Sequence, residues 1–198
     1  ATIDSDGGNA ITARGTAWNT TGTPITENML AEGGTATVAF SHLRGTGDGT
    51  GTPMPSGTLI SYRGYATNGI GTGYSPDGSF YTEPTVASGV TIDNITGSSM
   101  RINWSNGSNT TARVLVKQGS IVDASPVDGS TYIANTIFTS GDQIGTNNYV
   151  VFAASGTSVT VSGLSASTIY HVAVYAYAGS GIPINYQQDN PAIGNATT

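Results

Sequence analysis

The chain has 198 residues, a formal net charge of −6, 9% charged residues, 28 glycines and no cysteine. That excludes a disulfide framework and thiolate metal sites, and six basic residues are too few to displace the counterions of duplex nucleic acid. An ordinary soluble domain is roughly 25% charged, so this surface must instead be covered by the 30 threonines and 21 serines, with Asn and Gly.

In chain order, residues 1–4 are short and alternating, and Asp6-Gly7-Gly8-Asn9 reads as a turn. Asp4, Asp6 and Asn9 are oxygen donors at calcium-like spacing, but no glutamate closes a 12-residue loop, so a plain turn is the stronger reading and Ca²⁺ a weak candidate. Strands rich in Thr, Val, Ile and Tyr are predicted at 10–19, 35–43 and 58–68. The Gly and Thr-rich stretch 45–51 lacks the following helix that a phosphate-binding loop needs, and reads as a loop. Glu83-Pro84-Thr85 marks a boundary, because Pro84 cannot donate to a ladder.

Beyond it, strands are predicted at 99–105, 112–117, 149–153, 158–164 and 168–178, with turns at Asn106-Gly107 and Asp128-Gly129. The period is two: Ala112, Val114 and Val116 alternate with Arg113, Leu115 and Lys117, the pattern of a half-buried strand. Residues 194–198 close the last strand. No window carries a helical stripe, so the chain is expected to be all-β, built of sandwiches. No apolar run approaches the roughly 20 residues of a membrane span.

Tyr65, Ala66, Gly69 and Gly71 recur at an offset of 110 as Tyr175, Ala176, Gly179 and Gly181. Ile60, Tyr62 and Gly64 then correspond to Tyr170, Val172 and Val174, the inward row of the same strand. Two modules follow, 1–84 and 85–198.

Leu164-Ser165-Ala166-Ser167-Thr168-Ile169-Tyr170, followed by His171-Val172-Ala173-Val174, resembles the fibronectin type III signature, a leucine and then a tyrosine six residues on. The resemblance implies that the Tyr170 hydroxyl ties back to the preceding chain as a tyrosine corner, and that Trp104 is the core tryptophan of strand B. Ser5-Asp6-Gly7-Gly8, Thr12-Ala13-Arg14-Gly15 and Tyr65-Ala66-Thr67-Asn68 in module 1 are similar to such repeats in surface and secreted proteins of Bacteroidetes-type bacteria. So are Ser125-Pro126-Val127-Asp128-Gly129 and Ile144-Gly145-Thr146 in module 2. Against that pattern, module 1 has Ile60 in place of the corner tyrosine, and Ala1, Thr2, Ile3 and Asp4 look like the end of strand B, with strand A and the start of B missing. A sandwich short of a strand exposes backbone donors, acceptors and apolar surface. Ala1, Thr2 and Ile3 are therefore expected at an interface, the strand coming either from preceding residues of a longer protein or from another subunit.

Trp104, Leu164, Tyr170, Val172 and Val174, with Val114, Val116, Val159 and Val161, are the expected core of module 2. No Gly-x-Ser-x-Gly elbow is present, and His42 and His171 are the only imidazoles, so no catalytic residue and no cofactor are expected. Sequons occur at Asn19, Asn94, Asn103, Asn106, Asn109 and Asn195, a modest excess in a Ser and Thr-rich chain. Tyr74, Tyr81 and Tyr186 are candidates to stack on sugars. The composite expectation is a non-enzymatic structural or adhesive module of an exported bacterial surface protein, extracellular or at the cell surface. Its partners would be other subunits or adjacent repeats, with glycans possible and no nucleic acid. The alternatives are a spacer or carbohydrate-binding accessory module of a secreted polysaccharide-degrading enzyme, and a phage fibre or decoration protein.

Overall fold

The structure, a computed structural model, describes residues 1–25, 27–44, 52–108, 111–181 and 183–198; the Gly and Thr-rich stretch at 45–51 and the Asn109 sequon lie outside them. Two compact units are present, Ala1–Thr82 and Glu83–Thr198. The described residues form strands and turns and no helix.

Unit 1 holds one antiparallel sheet built on β1 (Ala13–Asn19), β2 (Leu30–Ala31), β3 (Leu59–Thr67), β4 (Thr72–Tyr74) and β5 (Gly78–Tyr81). The central strand is β3, which pairs with β1 from Ala13↔Thr67 to Asn19↔Ser61 and with both β4 and β5 on its other edge. Two expectations are corrected here. The predicted strand at 35–43 and the presumed strand end at Ala1–Asp4 are both irregular. They meet only where the Phe40 N–H donates to the Ala1 carbonyl at 2.8 Å and the Ala1 amine donates to the Phe40 carbonyl at 3.0 Å. One reciprocal pair does not make a ladder, and a strand is defined by partners along its length.

Unit 2 is a sandwich of the immunoglobulin-like kind. One sheet has the order β11-β7-β6, made of β6 (Ser88–Asp93), β7 (Ser99–Ser105) and β11 (Ser158–Ser162). The other runs β13-β12-β8-β10-β9, with β14 also against β12. Its members are β8 (Thr111–Gln118), β9 (Gln143–Ile144), β10 (Asn148–Ser155), β12 (Ile169–Ala178), β13 (Asn185–Tyr186) and β14 (Ala192–Thr197). Met100, Ile102, Trp104, Val159 and Val161 from the first sheet interlock with Val114, Val116, Tyr170, Val172 and Val174 from the second in one apolar core. The Tyr170 hydroxyl accepts the Ser165 N–H at 2.9 Å, the back-tie of a tyrosine corner.

The reading of residues 112–117 as half-buried is overturned, because both rows are buried. Residues between β8 and β10 fold across the outer face of the larger sheet, where Val122, Ala124, Tyr132 and Ala134 pack on Leu115, Val150, Ala173 and Tyr175. Alternation marks the two faces of a strand but does not show that a distant loop will cover the outer one.

Two expectations follow. Trp104 stands with its ring edge-on to Phe152 and its Nε1–H donating to Asn106 Oδ1 at 2.8 Å. Trp104→Ala should therefore cost about 3 to 5 kcal/mol in chemical denaturation, through the cavity it leaves. Asp93 and Arg101 face each other across β6 and β7 in a two-pronged ion pair at 2.8 and 2.9 Å, and the hydrogen bond from Arg101 lowers the Asp93 carboxyl. A carboxylate with a lowered folded-state value contributes stability above its unfolded value of about 3.9, which is lost as pH falls through the folded one. Asp93→Asn should thus flatten the acid limb of a stability profile measured across that window.

Candidate functional site

The sheet of unit 1 carries one face with no second sheet against it among the described residues. Register places Trp18 opposite Tyr62, Thr16 opposite Gly64, and Phe80 opposite Ile60, and directly opposed residues share a face. A cavity of about 380 Å³ opens over this face, lined by Trp18, Tyr62 and Phe80 below and by Phe40, His42 and Leu43 above. Tyr62 and Phe80 are in ring contact at 5.8 Å, yet remain 43% and 37% exposed. The Trp18 indole N–H is buried without a hydrogen-bond partner. A second cavity of about 650 Å³ shares Ala1 and Phe40 and runs beside Thr2, Ile3 and Asp4 toward Tyr74 and Pro76.

Side chains, not a ladder, hold the roof of this groove. Arg14 pairs with Glu32, donates from Nη1 to the Ala36 carbonyl at 2.5 Å and lies 4.9 Å from the Phe40 ring centre. His42 Nδ1 sits 3.0 Å from Thr16 Oγ1, and Arg44 donates to the Asn28 carbonyl at 2.8 Å. Gly64 leaves room for the N-terminus, since a Cβ there would stand 2.7 Å from that of Ala1.

Unit 2 shows how the matching face is closed. Val172 corresponds to Tyr62 by the repeat offset, and it is 1% exposed beneath the sheet β11-β7-β6. Trp104, Leu164, Tyr170, Val172 and Val174 all lie in that closed core. Ala1, Thr2 and Ile3 line the larger groove of unit 1. Asp6 is used in a turn: Oδ1 accepts the Gly8 N–H at 2.9 Å, and its carbonyl accepts from Asn9 N–H at 3.3 Å and Asn68 Nδ2 at 2.8 Å. Among the described residues, no group of three or more His, Asp or Glu comes together in a metal-like cluster. The nomination of Tyr186 as an exposed sugar platform is corrected, because Tyr186 is 1% exposed.

Tyr186 instead belongs to a polar cluster that the sequence did not reveal. The Arg113 guanidinium is buried within 5.0 to 5.4 Å of the ring centres of Tyr132, Tyr177 and Tyr186, with Nε and Nη1 lacking hydrogen-bond partners. Burial pushes the Tyr186 hydroxyl up to about 12, against the opposing field of Arg113. Its hydroxyl donates to the Ser130 carbonyl at 2.9 Å and its N–H to Asp128 Oδ1 at 2.7 Å, tying β13 to the covering loop. The other polar group under this loop is Lys117 with Asp123 and Asn148. A sole lysine in a strand pattern was the available signal, but its partner Asp123 lies in a turn-rich stretch with no periodicity.

No family model matches the chain, and no curated protein does. Among solved structures, it is similar to the FN1–FN3 domains of chicken CNTN1, at 14% identity and a TM-score of 0.40. That match covers 96% of this chain and 56% of the other, so the chain spans just over half the length of that structure.

The Ala1–Phe40 pair gives a direct handle on the groove. Gly64→Ala should push Ala1 off the sheet and release that pair, read as faster hydrogen exchange at the Phe40 amide with the β1–β3 amides unchanged.

Proposed function

We propose that the protein is a non-enzymatic structural or adhesive module of an exported bacterial surface protein, whose first unit is completed by an extended segment from another subunit. The reading is supported by one observation above all. Tyr62, 43% exposed, faces an open groove, while its counterpart Val172, 1% exposed, lies beneath a three-stranded sheet. Covering an apolar face removes its area from water at roughly 25 cal/mol per Å², and strand addition supplies backbone hydrogen bonds along with that cover. The segment that fits carries alternating apolar residues, as Met100, Ile102 and Trp104 do in β7. The strand β14 does not supply it, because it is paired with β12 from Ile169↔Thr197 to Val174↔Ala192.

Low charge suits this role. Uncharged Thr, Ser and Asn faces can be packed side by side with little desolvation of ions. No helix among the described residues is long and apolar enough to cross a membrane, and the placement at an extracellular surface belongs to the proposal.

Sedimentation and electron microscopy of the purified chain from micromolar to millimolar concentration test the reading. The expected result is assembly beyond the monomer, with amide protection appearing at Ser41 and Leu43. Discrete monomers at every concentration, with those amides exchanging freely, would overturn it.

A further inference from the structure

Three side chains of unit 2 form an arrangement that packing alone does not call for. Lys117, the single lysine of the chain, is 7% exposed near the end of β8, and Asn148 is fully buried at the start of β10. The two strands are paired in antiparallel register with Tyr149 opposite Val116, so Lys117 and Asn148 are the next residues along the same rungs. Asp123 joins them. Its Oδ1 accepts from Lys117 Nζ at 2.6 Å and from Asn148 Nδ2 at 2.9 Å. The Asp123 backbone N–H donates to Asn148 Oδ1 at 3.3 Å. Asn148 Nδ2 also donates to the carbonyls of Ile144 at 2.8 Å and Thr146 at 3.3 Å, which fixes the plane of the carboxamide.

Each element of an acyl transfer is therefore present. An amine and a carboxamide meet on one carboxylate oxygen, which touches both the nucleophile and the leaving nitrogen, and a backbone N–H points at the carbonyl oxygen where negative charge would develop. We propose that Lys117 and Asn148 join in an intramolecular isopeptide bond, with Asp123 as the proton carrier.

The step balances without a co-reactant. The Lys117 ammonium passes a proton to the Asp123 carboxylate, and the freed lone pair attacks Asn148 Cγ. The C=O electrons move to Oδ1, which accepts the Asp123 N–H. Collapse of this intermediate restores the carbonyl and breaks the Cγ–Nδ2 bond. Nδ2 takes the proton held by Asp123 and leaves as ammonia, while the former amine passes its surplus proton back to the Asp123 carboxylate. The Asp123 side chain is 57% exposed, which gives the ammonia a way out. Hydrogen bonds from Lys117 and Asn148 hold the Asp123 carboxyl below its ordinary value. A lowered Asp123 carboxyl favours the carboxylate that accepts from both side chains before the reaction begins. The product ties β8 to β10 covalently. This inference stands on unit 2 alone and is independent of whether unit 1 takes up a strand.

Intact mass spectrometry of the full chain, fresh and after prolonged incubation at physiological temperature, tests it. The expected result is a mass lower than the sequence value by one ammonia, with a proteolytic fragment in which the Lys117 and Asn148 peptides are joined. Lys117→Arg keeps the cation beside Asp123 and should show the full mass, as should Asp123→Asn, each with an unchanged β-sheet circular dichroism spectrum. Three results would overturn the proposal: an unchanged wild-type mass after incubation, ammonia loss confined to one linear peptide as in a succinimide at Asn148, or undiminished cross-linking in Asp123→Asn. The wild-type mass decides even if a variant fails to fold.

Discussion

A β-sheet satisfies its own backbone but not its faces, and the covering of those faces organises this molecule. In unit 2 the inner face of the larger sheet is closed by the three strands β11-β7-β6 and the outer face by the loop from β8 to β10. Strands β8 and β12 are consequently buried on both sides, a condition more typical of central parallel strands. Unit 1 has a corresponding sheet, and among the described residues its inner face carries an irregular roof held by Arg14, His42 and Arg44. The same strand geometry thus gives a closed core in one unit and a groove in the other.

Covering the outer face of unit 2 has a cost in polar groups. The alternation of β8 puts Arg113 and Lys117 on the outward row, and the loop that buries Leu115 between them must bury both cations. They are accommodated in different ways. Lys117 receives the Asp123 carboxylate, itself held by Asn148, so its charge is balanced. Arg113 receives three tyrosine faces and no carboxylate, an arrangement that uses the weak hydration of a guanidinium. The loop is therefore pinned at two points by polar contacts, with apolar packing between them.

The all-β class, the strands β1, β3, β7, β8, β10, β11 and β12 and the core around Trp104 and Tyr170 were legible because alternation and turn residues are local signals. What was not legible depended on partners far along the chain. The stretch 35–43 has the composition of a strand, yet its backbone is held by the Arg14 side chain and by Ala1 rather than by a ladder, and no local pattern encodes the absence of a neighbouring strand. Tyr186 looked exposed because it sits among Gln, Asp and Asn, but it is drawn inward by Arg113, some seventy residues upstream. The Lys117, Asp123 and Asn148 cluster was hidden for the same reason. Asp123 and Asn148 are twenty-five residues apart and carry no shared spacing motif. The expectation that Ala1, Thr2 and Ile3 lie at an interface came from the departure of module 1 from the fibronectin type III pattern, and these residues line the larger groove of unit 1.

The scarcity of basic residues has one more consequence, which concerns proteolysis. Proteases that cut after Lys or Arg have six sites at most in this chain, and Arg14, Arg113 and Lys117 are buried within paired strands. Arg63 and Arg101 also lie inside ladders, whereas proteases need an exposed and locally unfolded segment. Arg44 lies outside the strands, so a trypsin-like enzyme is expected to cut there first, and cleavage at the other five waits on the opening of the sheets.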